Sequence, residues 1–181
     1  MIYTTTYESP IGKLFLAARD EALIGLWIQG QKYFPEKLFL EQADVTNCVG
    51  KNCGILAQTG VWLDQYFTGD KPNPERLKLA PGLAPGILSP VSDFRQQVWK
   101  LLLEIPYGEV ITYGELARRL AQRRGLNSMS AQAVGGAVGH NPISIIIPCH
   151  RVVGTDGSLT GYAGGVEKKR WLLKLEGALE E

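Results

Sequence analysis

The sequence predicts an α+β protein in two parts. Residues 1–85 form a small antiparallel β-sheet with a helix packed on it. Residues 92–181 form a mainly helical part built around a helix-turn-helix of winged-helix-like type. Three observations carry this reading. Short β-rich runs separated by turn signals fill residues 2–28. A proline-rich stretch (Pro72, Pro74, Pro81, Pro85 and Pro90) then crosses the middle of the chain. Missing backbone donors there oppose both helix and central strand, which places a boundary near residues 80–92. Beyond it, apolar residues recur at helical spacing.

Taken in order, Ile2–Glu8 is β-rich, Ser9-Pro10-Ile11-Gly12 is a turn, and Lys13–Arg19 alternates apolar and small residues. Asp20-Glu21 turns the chain again before Ala22–Ile28. A helix over residues 55–67 presents Leu56, Trp62, Leu63, Tyr66 and Phe67 on one side. After the prolines, Asp93 serves as an N-cap for a helix carrying Phe94, Val98, Leu101, Leu102 and Ile105, which Pro106 ends. Val110-Ile111 is a short β-prone piece. Thr112 caps a second helix through Leu120, and a polar loop, Arg123–Ser128, leads to a third helix over residues 130–139. That connector is longer than the three or four residues of a tight helix-turn-helix.

Composition narrows the class. The chain has 181 residues, 45% of them apolar and 20% charged, with a formal net charge of +1. These values exclude a disordered chain, a collagen-like repeat and a histone-like basic binder. Charge is uneven along the chain: residues 1–90 hold 8 Lys and Arg against 9 Asp and Glu, whereas residues 91–174 hold 11 against 6. No apolar run of about 18 residues occurs, so no membrane span is expected, and the opening residues lack the pattern of a secretory signal. An intracellular, cytoplasmic protein is the expectation. Cys48, Cys53 and Cys149 are too few and too unevenly spaced for a disulfide framework or a structural zinc site, so Cys48 and Cys53 read as free thiols and no metal is expected.

Two features of the second part point toward nucleic acid. Arg119 and Arg123 stand at i,i+4 with Arg118 and Arg124 beside them, a repulsive arrangement unless a counter-charge such as phosphate is present. The third helix crowds Gln132, Gly135, Gly136 and Gly139 outside its Val134 and Val138 stripe. Interior glycine costs roughly 1 kcal/mol relative to alanine, so adjacent ones imply close approach to another surface, either the preceding helix or nucleic acid.

The chemistry concentrates in Asn141-Pro142-Ile143-Ser144-Ile145-Ile146-Ile147-Pro148-Cys149-His150-Arg151-Val152. The apolar run buries the chain, and Pro148 holds Ile147 extended. A thiol flanked by an imidazole and a guanidinium is where a thiolate is stabilised by positive charge or formed by a base. Adjacent side chains of a strand point to opposite faces, so Cys149 and His150 need a local bend or a bridging water to communicate.

The Pro148-Cys149-His150-Arg151-Val152 core resembles the 6-O-alkylguanine-DNA alkyltransferases, also called methylated-DNA–protein-cysteine methyltransferases. So do Asn141-Pro142 upstream, Gly161-Tyr162-Ala163-Gly164-Gly165 downstream, Tyr107-Gly108-Glu109-Val110-Ile111-Thr112-Tyr113 and the closing Trp171–Gly177. The likeness runs from Asp93 to Gly177; the first 85 residues share mainly the Ser-Pro-Ile-Gly turn. It implies a self-consuming repair protein that takes an alkyl group from 6-O-alkylguanine, and possible action on 4-O-alkylthymine, in double-stranded DNA. The protein would work as a monomer without cofactor or metal. It implies that Cys149 is the acceptor, that His150 acts through a water and is oriented by Glu176, and that Asn141 braces the turn. Tyr113 would assist nucleotide flipping, which a buried thiol requires. The backbone at Val152 and the Tyr162-Ala163 loop would wall the guanine pocket. Ala131, Gln132, Gly135, Gly136, Arg119 and Arg123 would meet DNA. Two positions depart from the family: Gln132 replaces the usual intercalating arginine, and Ala163 replaces a frequent serine. A turnover Cys-His hydrolase and a non-reactive damage-binding module are the competing readings; the first would release product repeatedly, and the second lacks the acceptor cysteine that is present here.

Overall fold

The computed structural model of the chain describes residues 2–36, 51–84 and 92–180, with side chains from Gly54 onward in the middle stretch. Cys48, Pro85, Pro90 and the side chain of Cys53 lie outside the described residues. The chain groups into two compact units, one of residues 1–90 with 142–144 and one of residues 91–141 with 145–181.

The first unit contains β1 (Tyr3–Ser9), β2 (Gly12–Arg19) and β3 (Ala22–Ile28), an antiparallel sheet in sequence order. Asp20 and Glu21 take φ of 51° and 63°, the twist that a two-residue hairpin turn demands at both central positions. Every residue of β3 is buried. Helix α1 (Lys51–Phe67) includes a turn before Ile55, where the apolar stripe begins, that the stripe does not announce. Ile55, Leu56, Trp62, Leu63 and Tyr66 are buried. Two chain segments add to β3 by single bridges. Leu23 exchanges backbone bonds with Lys78 and Ala80, and Leu26 does so with Pro142 and Ser144, at 2.8–2.9 Å. Gln31 Oε1 accepts the Ile28 N–H at 2.7 Å and the Ser144 hydroxyl at 3.4 Å, which ties Pro142–Ser144 into this unit.

The second unit contains α2 (Asp93–Leu102), β4 (Ile111–Thr112), α3 (Tyr113–Arg123), α4 (Ala131–Gly139), β5 (Val152–Val153) and α5 (Val166–Leu175). The cap of α2 is Ser92, not Asp93: the Ser92 hydroxyl accepts the Arg95 N–H at 3.3 Å, while Asp93 occupies the first turn, where its carboxylate suits the helix dipole. The helix stops at Leu102, short of Ile105, and a tight turn carries the chain to Pro106. Thr112 caps α3 and Ser130 caps α4 by accepting the Glu115 and Ala133 N–H groups. The connector between these helices, Arg124–Ser130, is long for a helix-turn-helix. β4 and β5 pair in parallel, Ile111 with Val152 and Thr112 with Val153. Val98, Leu102, Leu116, Leu120, Val134, Val138, Leu172 and Leu173 fill the core, and the Trp99 indole N–H donates to the Ala137 carbonyl at 3.0 Å.

The apolar run before the cysteine is buried but not extended. Ile143 makes one bridge to Leu26, and the chain then turns through Ile145 at φ 71°, a left-handed conformation unusual for a β-branched residue. Consecutive burial on all sides satisfies a turn inside the protein as well as it does a strand, so the apolar pattern could not separate them. No helix among the described residues is long and apolar enough to cross a membrane.

Candidate active site

Cys149, His150 and Arg151 form a single 3-10 turn between Pro148 and β5. Pro148 sits at φ −83° and ψ 64°, and the Arg151 N–H closes the turn on its carbonyl at 3.0 Å. The bend supplies what an extended strand could not, since it brings consecutive side chains around one loop of backbone. Asn141 Nδ2 donates to the Ile147 carbonyl at 2.8 Å and so braces the approach to Pro148 from across the preceding turn. Burial pushes the Cys149 thiol up; the Asn141 side chain, the Lys169 ammonium and the backbone N–H groups of Cys149 and His150 work in the opposite direction.

Behind the turn lies a buried charge cluster. His150 is fully buried, and its Nε2 is 2.7 Å from Glu176 Oε1. That nitrogen must carry the proton, because a carboxylate only accepts. The other ring nitrogen, Nδ1, is buried with no partner among the protein atoms and keeps its lone pair. Burial holds the His150 ring below its ordinary value despite Glu176, so it is neutral. Arg151 forks onto the same carboxylate, Nε to Oε2 at 2.8 Å and a terminal nitrogen to Oε1 at 3.0 Å, and its remaining arm donates to the Ile105 carbonyl at 2.7 Å. The Gly108 N–H adds a longer bond to Oε2 at 3.3 Å. Burial alone would raise the Glu176 carboxyl, but the His150 N–H and the Arg151 guanidinium hold it well below the usual carboxylate range. Gly108 is glycine for a reason of space: at φ 83°, an added Cβ would lie 2.9 Å from the Glu176 carbonyl.

Tyr113 opens α3 directly after β4, and the β4–β5 pairing therefore sets it beside the strand that follows the cysteine turn. Its hydroxyl donates to the Thr160 carbonyl at 3.2 Å. Gly135 of α4 approaches its ring, and Gly161, at φ 77°, leaves room for its hydroxyl, which would stand 3.0 Å from a Cβ. Burial raises the Tyr113 phenol to about 12, with the Cys149 charge adding to the effect. Val152 and Tyr162 are buried, Ala163 is half-buried, and the Tyr162 ring stands edge-on to His150 with centroids 6.5 Å apart.

Lys169 is the residue that sequence reasoning missed. It is fully buried, its Nζ donates to the carbonyls of Val152 and Thr160, and it stands 5.9 Å from the centre of the Tyr113 ring. Burial lowers it to about 8, while the Cys149 charge works the other way. The signal was there in helical spacing: Lys169, Leu172, Leu173 and Glu176 run i, i+3, i+4, i+7, so an ammonium and a carboxylate share one buried stripe. The cation acting on the thiol is thus Lys169, whereas Arg151 is engaged by Glu176.

Gln132 and Ala131 are exposed in the first turn of α4, with Gly136 exposed one turn on and Gly135 turned toward Tyr113. The basic residues of α3 are counter-charged from within the protein. Glu115 pairs with Arg118 and Arg119, at 2.6 and 3.1 Å, and Arg123 pairs with Glu104. Hydrogen bonds from Arg118 and Arg119 lower the Glu115 carboxyl to about 2. Phosphate is therefore not required to relieve repulsion between Arg119 and Arg123.

Likeness to known proteins spans both units. The model of the 6-O-methylguanine DNA methyltransferase DNA-binding domain matches residues 93–178, and that of the ribonuclease-like domain of the same proteins matches residues 2–81. Methylated-DNA–protein-cysteine methyltransferase of Haemophilus influenzae is 38% identical over 97% of this chain and 86% of its own length. The protein of that name from Methanosarcina acetivorans is 38% identical over 98% and 99%. Among solved structures, the O6-methylguanine methyltransferase of Mycobacterium tuberculosis aligns with a TM-score of 0.73 at 39% identity, covering 98% of this chain and 94% of that one. A crystal structure of M. tuberculosis OGT in complex with DNA gives 0.71 at 38% identity, covering 97% and 93%.

Proposed function

The chain belongs to the 6-O-methylguanine DNA methyltransferase family, and on that basis we propose that it repairs DNA by taking a methyl or other alkyl group from the 6-oxygen of guanine onto Cys149, once per molecule. The observation that supports this most is the Cys149–Arg151 turn, in which a buried thiol is followed by a neutral imidazole held through Nε2 by a buried carboxylate. The Cys149 sulfur attacks the alkyl carbon in line. The S–C bond forms as the C–O bond breaks, and the bonding pair leaves with the guanine oxygen. The thiol's proton, taken up through His150, is the one needed to restore neutral guanine. A thioether is a poor leaving group, so the acceptor is consumed.

Residues 92–181 carry this chemistry, acting as a monomer on duplex DNA. Because the sulfur sits inside the protein, the damaged nucleotide must leave the stack to reach it. Tyr113, the Val152 backbone and the Tyr162-Ala163 loop line the route; Ala131 and Gln132 in the first turn of α4, with Gly136 one turn on, face the duplex. Asn141 holds the turn in place, and Glu176 fixes the imidazole. Where the family often has a serine, Ala163 offers only its backbone N–H to the substrate oxygen.

The deciding experiment is intact-mass analysis after incubation with a duplex containing 6-O-methylguanine, followed by peptide mapping. One methyl group on Cys149, lost in Cys149→Ser while duplex binding persists, is expected. An adduct on Cys48 or Cys53, transfer by the serine variant, or repeated turnover would overturn the assignment.

A further inference from the structure

A guanidinium next to a reactive cysteine invites the view that its charge stabilises the thiolate. The geometry directs Arg151 elsewhere. Three of its hydrogen bonds are made to Glu176 Oε1, Glu176 Oε2 and the Ile105 carbonyl, and its guanidinium carbon stands 5.7 Å from the centre of the Tyr107 ring. These partners lie on the C-terminal end of α5 and on the segment just after α2, so the fork is anchored at two places besides its own turn. Planar, bidentate engagement fixes a carboxylate in rotation as well as position, which a point charge would not do.

We infer that Arg151 is a positioning residue for the transfer reaction: from the turn that carries Cys149 and His150 it locks the Glu176 carboxylate so that Oε1 takes the His150 Nε2 proton, leaving the Nδ1 lone pair to receive the thiol's proton. The inference rests on the proposed alkyl transfer to Cys149. Its first support is that Glu176 accepts from His150 and Arg151 on the same oxygen, 2.7 and 3.0 Å away, so carboxylate orientation and imidazole tautomer are set together. Its second is that His150 Nδ1 is the buried ring atom without a protein partner. The groups bearing on the ring are Glu176, Arg151, Lys169 and the edge-on Tyr162. Burial opposes an imidazolium most, Glu176 favours one, and Arg151 and Lys169 add to the opposition. Arg151 thereby adds to burial in letting a carboxylate orient the base without keeping it protonated.

The test compares wild type, Arg151→Gln and Arg151→Lys by single-turnover methyl transfer across pH and by nitrogen NMR of the ¹⁵N-labelled imidazole. In wild type at pH 7 the ring is expected to be neutral with the proton on Nε2. Arg151→Gln removes the opposing charge, so His150 titrates higher and the acid limb of the rate profile moves to higher pH. Its plateau rate falls roughly tenfold to a hundredfold. Arg151→Lys keeps the charge but not the fork, so the acid limb stays near the wild-type position while the plateau still falls. A merely structural arginine would lower the melting temperature of both variants and leave the limb and the wild-type tautomer in place; that result overturns the inference. So does an imidazolium, or an Nδ1-protonated ring, in wild type at pH 7, which needs no variant to fold. Absence of a methyl adduct on wild-type Cys149 would instead count against the underlying reading, and the imidazole spectra keep the two failures apart.

Discussion

Replacing Lys169 by methionine removes a buried ammonium and keeps nearly the same stem. Two opposing effects set the outcome. The Nζ bonds to the Val152 and Thr160 carbonyls are charge-assisted, and each such bond contributes about 1.5–3 kcal/mol. Against them stands the cost of holding a cation out of water. Burial moves Lys169 from 10.5 to about 8, and at about 1.4 kcal/mol per unit that is about 3 kcal/mol at most. The two bonds together contribute about 3–6 kcal/mol against that cost, so Lys169→Met should fold with its melting temperature lowered by no more than ~12 °C, taking 2–4 °C per kcal/mol at this chain length. The pH dependence follows from the direction of the shift. A lysine whose folded value is depressed carries its full cost below about pH 8, where both states are protonated. That cost is relieved between about 8 and 10.5, where the unfolded chain binds more protons. Wild-type stability relative to Lys169→Met should therefore rise by up to about 3 kcal/mol across that window. Alkyl transfer at neutral pH should fall by about tenfold or more, because the thiol loses the cation that opposes its burial and the Thr160 carbonyl loses its tie. Denaturant titrations at pH 7, 8, 9 and 10 and single-turnover rates decide the matter. A stability difference flat across the window, or a wild-type rate in a folded variant, would refute the reasoning.

Three further outcomes are expected. Gly108→Ala forces a Cβ to within 2.9 Å of the Glu176 carbonyl at φ 83°; left-handed strain alone costs roughly 1–2 kcal/mol, so calorimetry should show a loss of at least ~2 °C together with slower transfer, and an unchanged melting temperature would show that the turn yields freely. Gln132→Gly should slow repair in duplex DNA more than transfer from free 6-O-methylguanine, because a wedge matters only while a base is held in the stack. Gln132→Arg should preserve or improve duplex repair, and equal effects of the glycine change on both substrates would remove Gln132 from the interface.

The sequence was most readable where structure is local. Strand breaks at Ser9–Gly12 and Asp20-Glu21 follow turn chemistry, and Thr112 caps its helix through its own hydroxyl, whereas Ser130, expected inside the third helix, caps it. Ser92 was passed over for Asp93 because adjacent residues of capping type cannot be ranked without the backbone that selects one. Cys149, His150 and Arg151 stood out as neighbours, but the path of the chain between Asn141 and Pro148 did not. Ile143, where the segment makes its one bridge, pairs with Leu26, far away in sequence. Long-range pairing also hid the partner of Arg123: Glu115 lies within one turn of Arg119 and is legible, whereas Glu104 comes from outside the helix. Lys169 was legible but unread, since a lysine in an apolar stripe is usually credited to its aliphatic stem. Only the carbonyls of Val152 and Thr160 reveal that its charge is inside.

The short additions to β3 bear on how the chain survives its own synthesis. β3 ends the sheet, and its outer backbone would be an open template for another chain's strand. Lys78–Ala80 occupies the template at Leu23, and Pro142–Ser144 occupies it at Leu26. The first cover follows α1 in the chain, while the second follows α2, α3 and α4 as well. A nascent chain or truncated fragment that stops in the proline-rich stretch thus carries a completed hairpin sheet with the Leu26 amide and carbonyl bare. Such fragments are expected to associate through that strand, and the remedy lies in the three residues that lead to the reactive cysteine. Delivering those residues blunts the exposed edge of β3, so protection against strand exchange arrives with the same stretch of chain that brings the thiol.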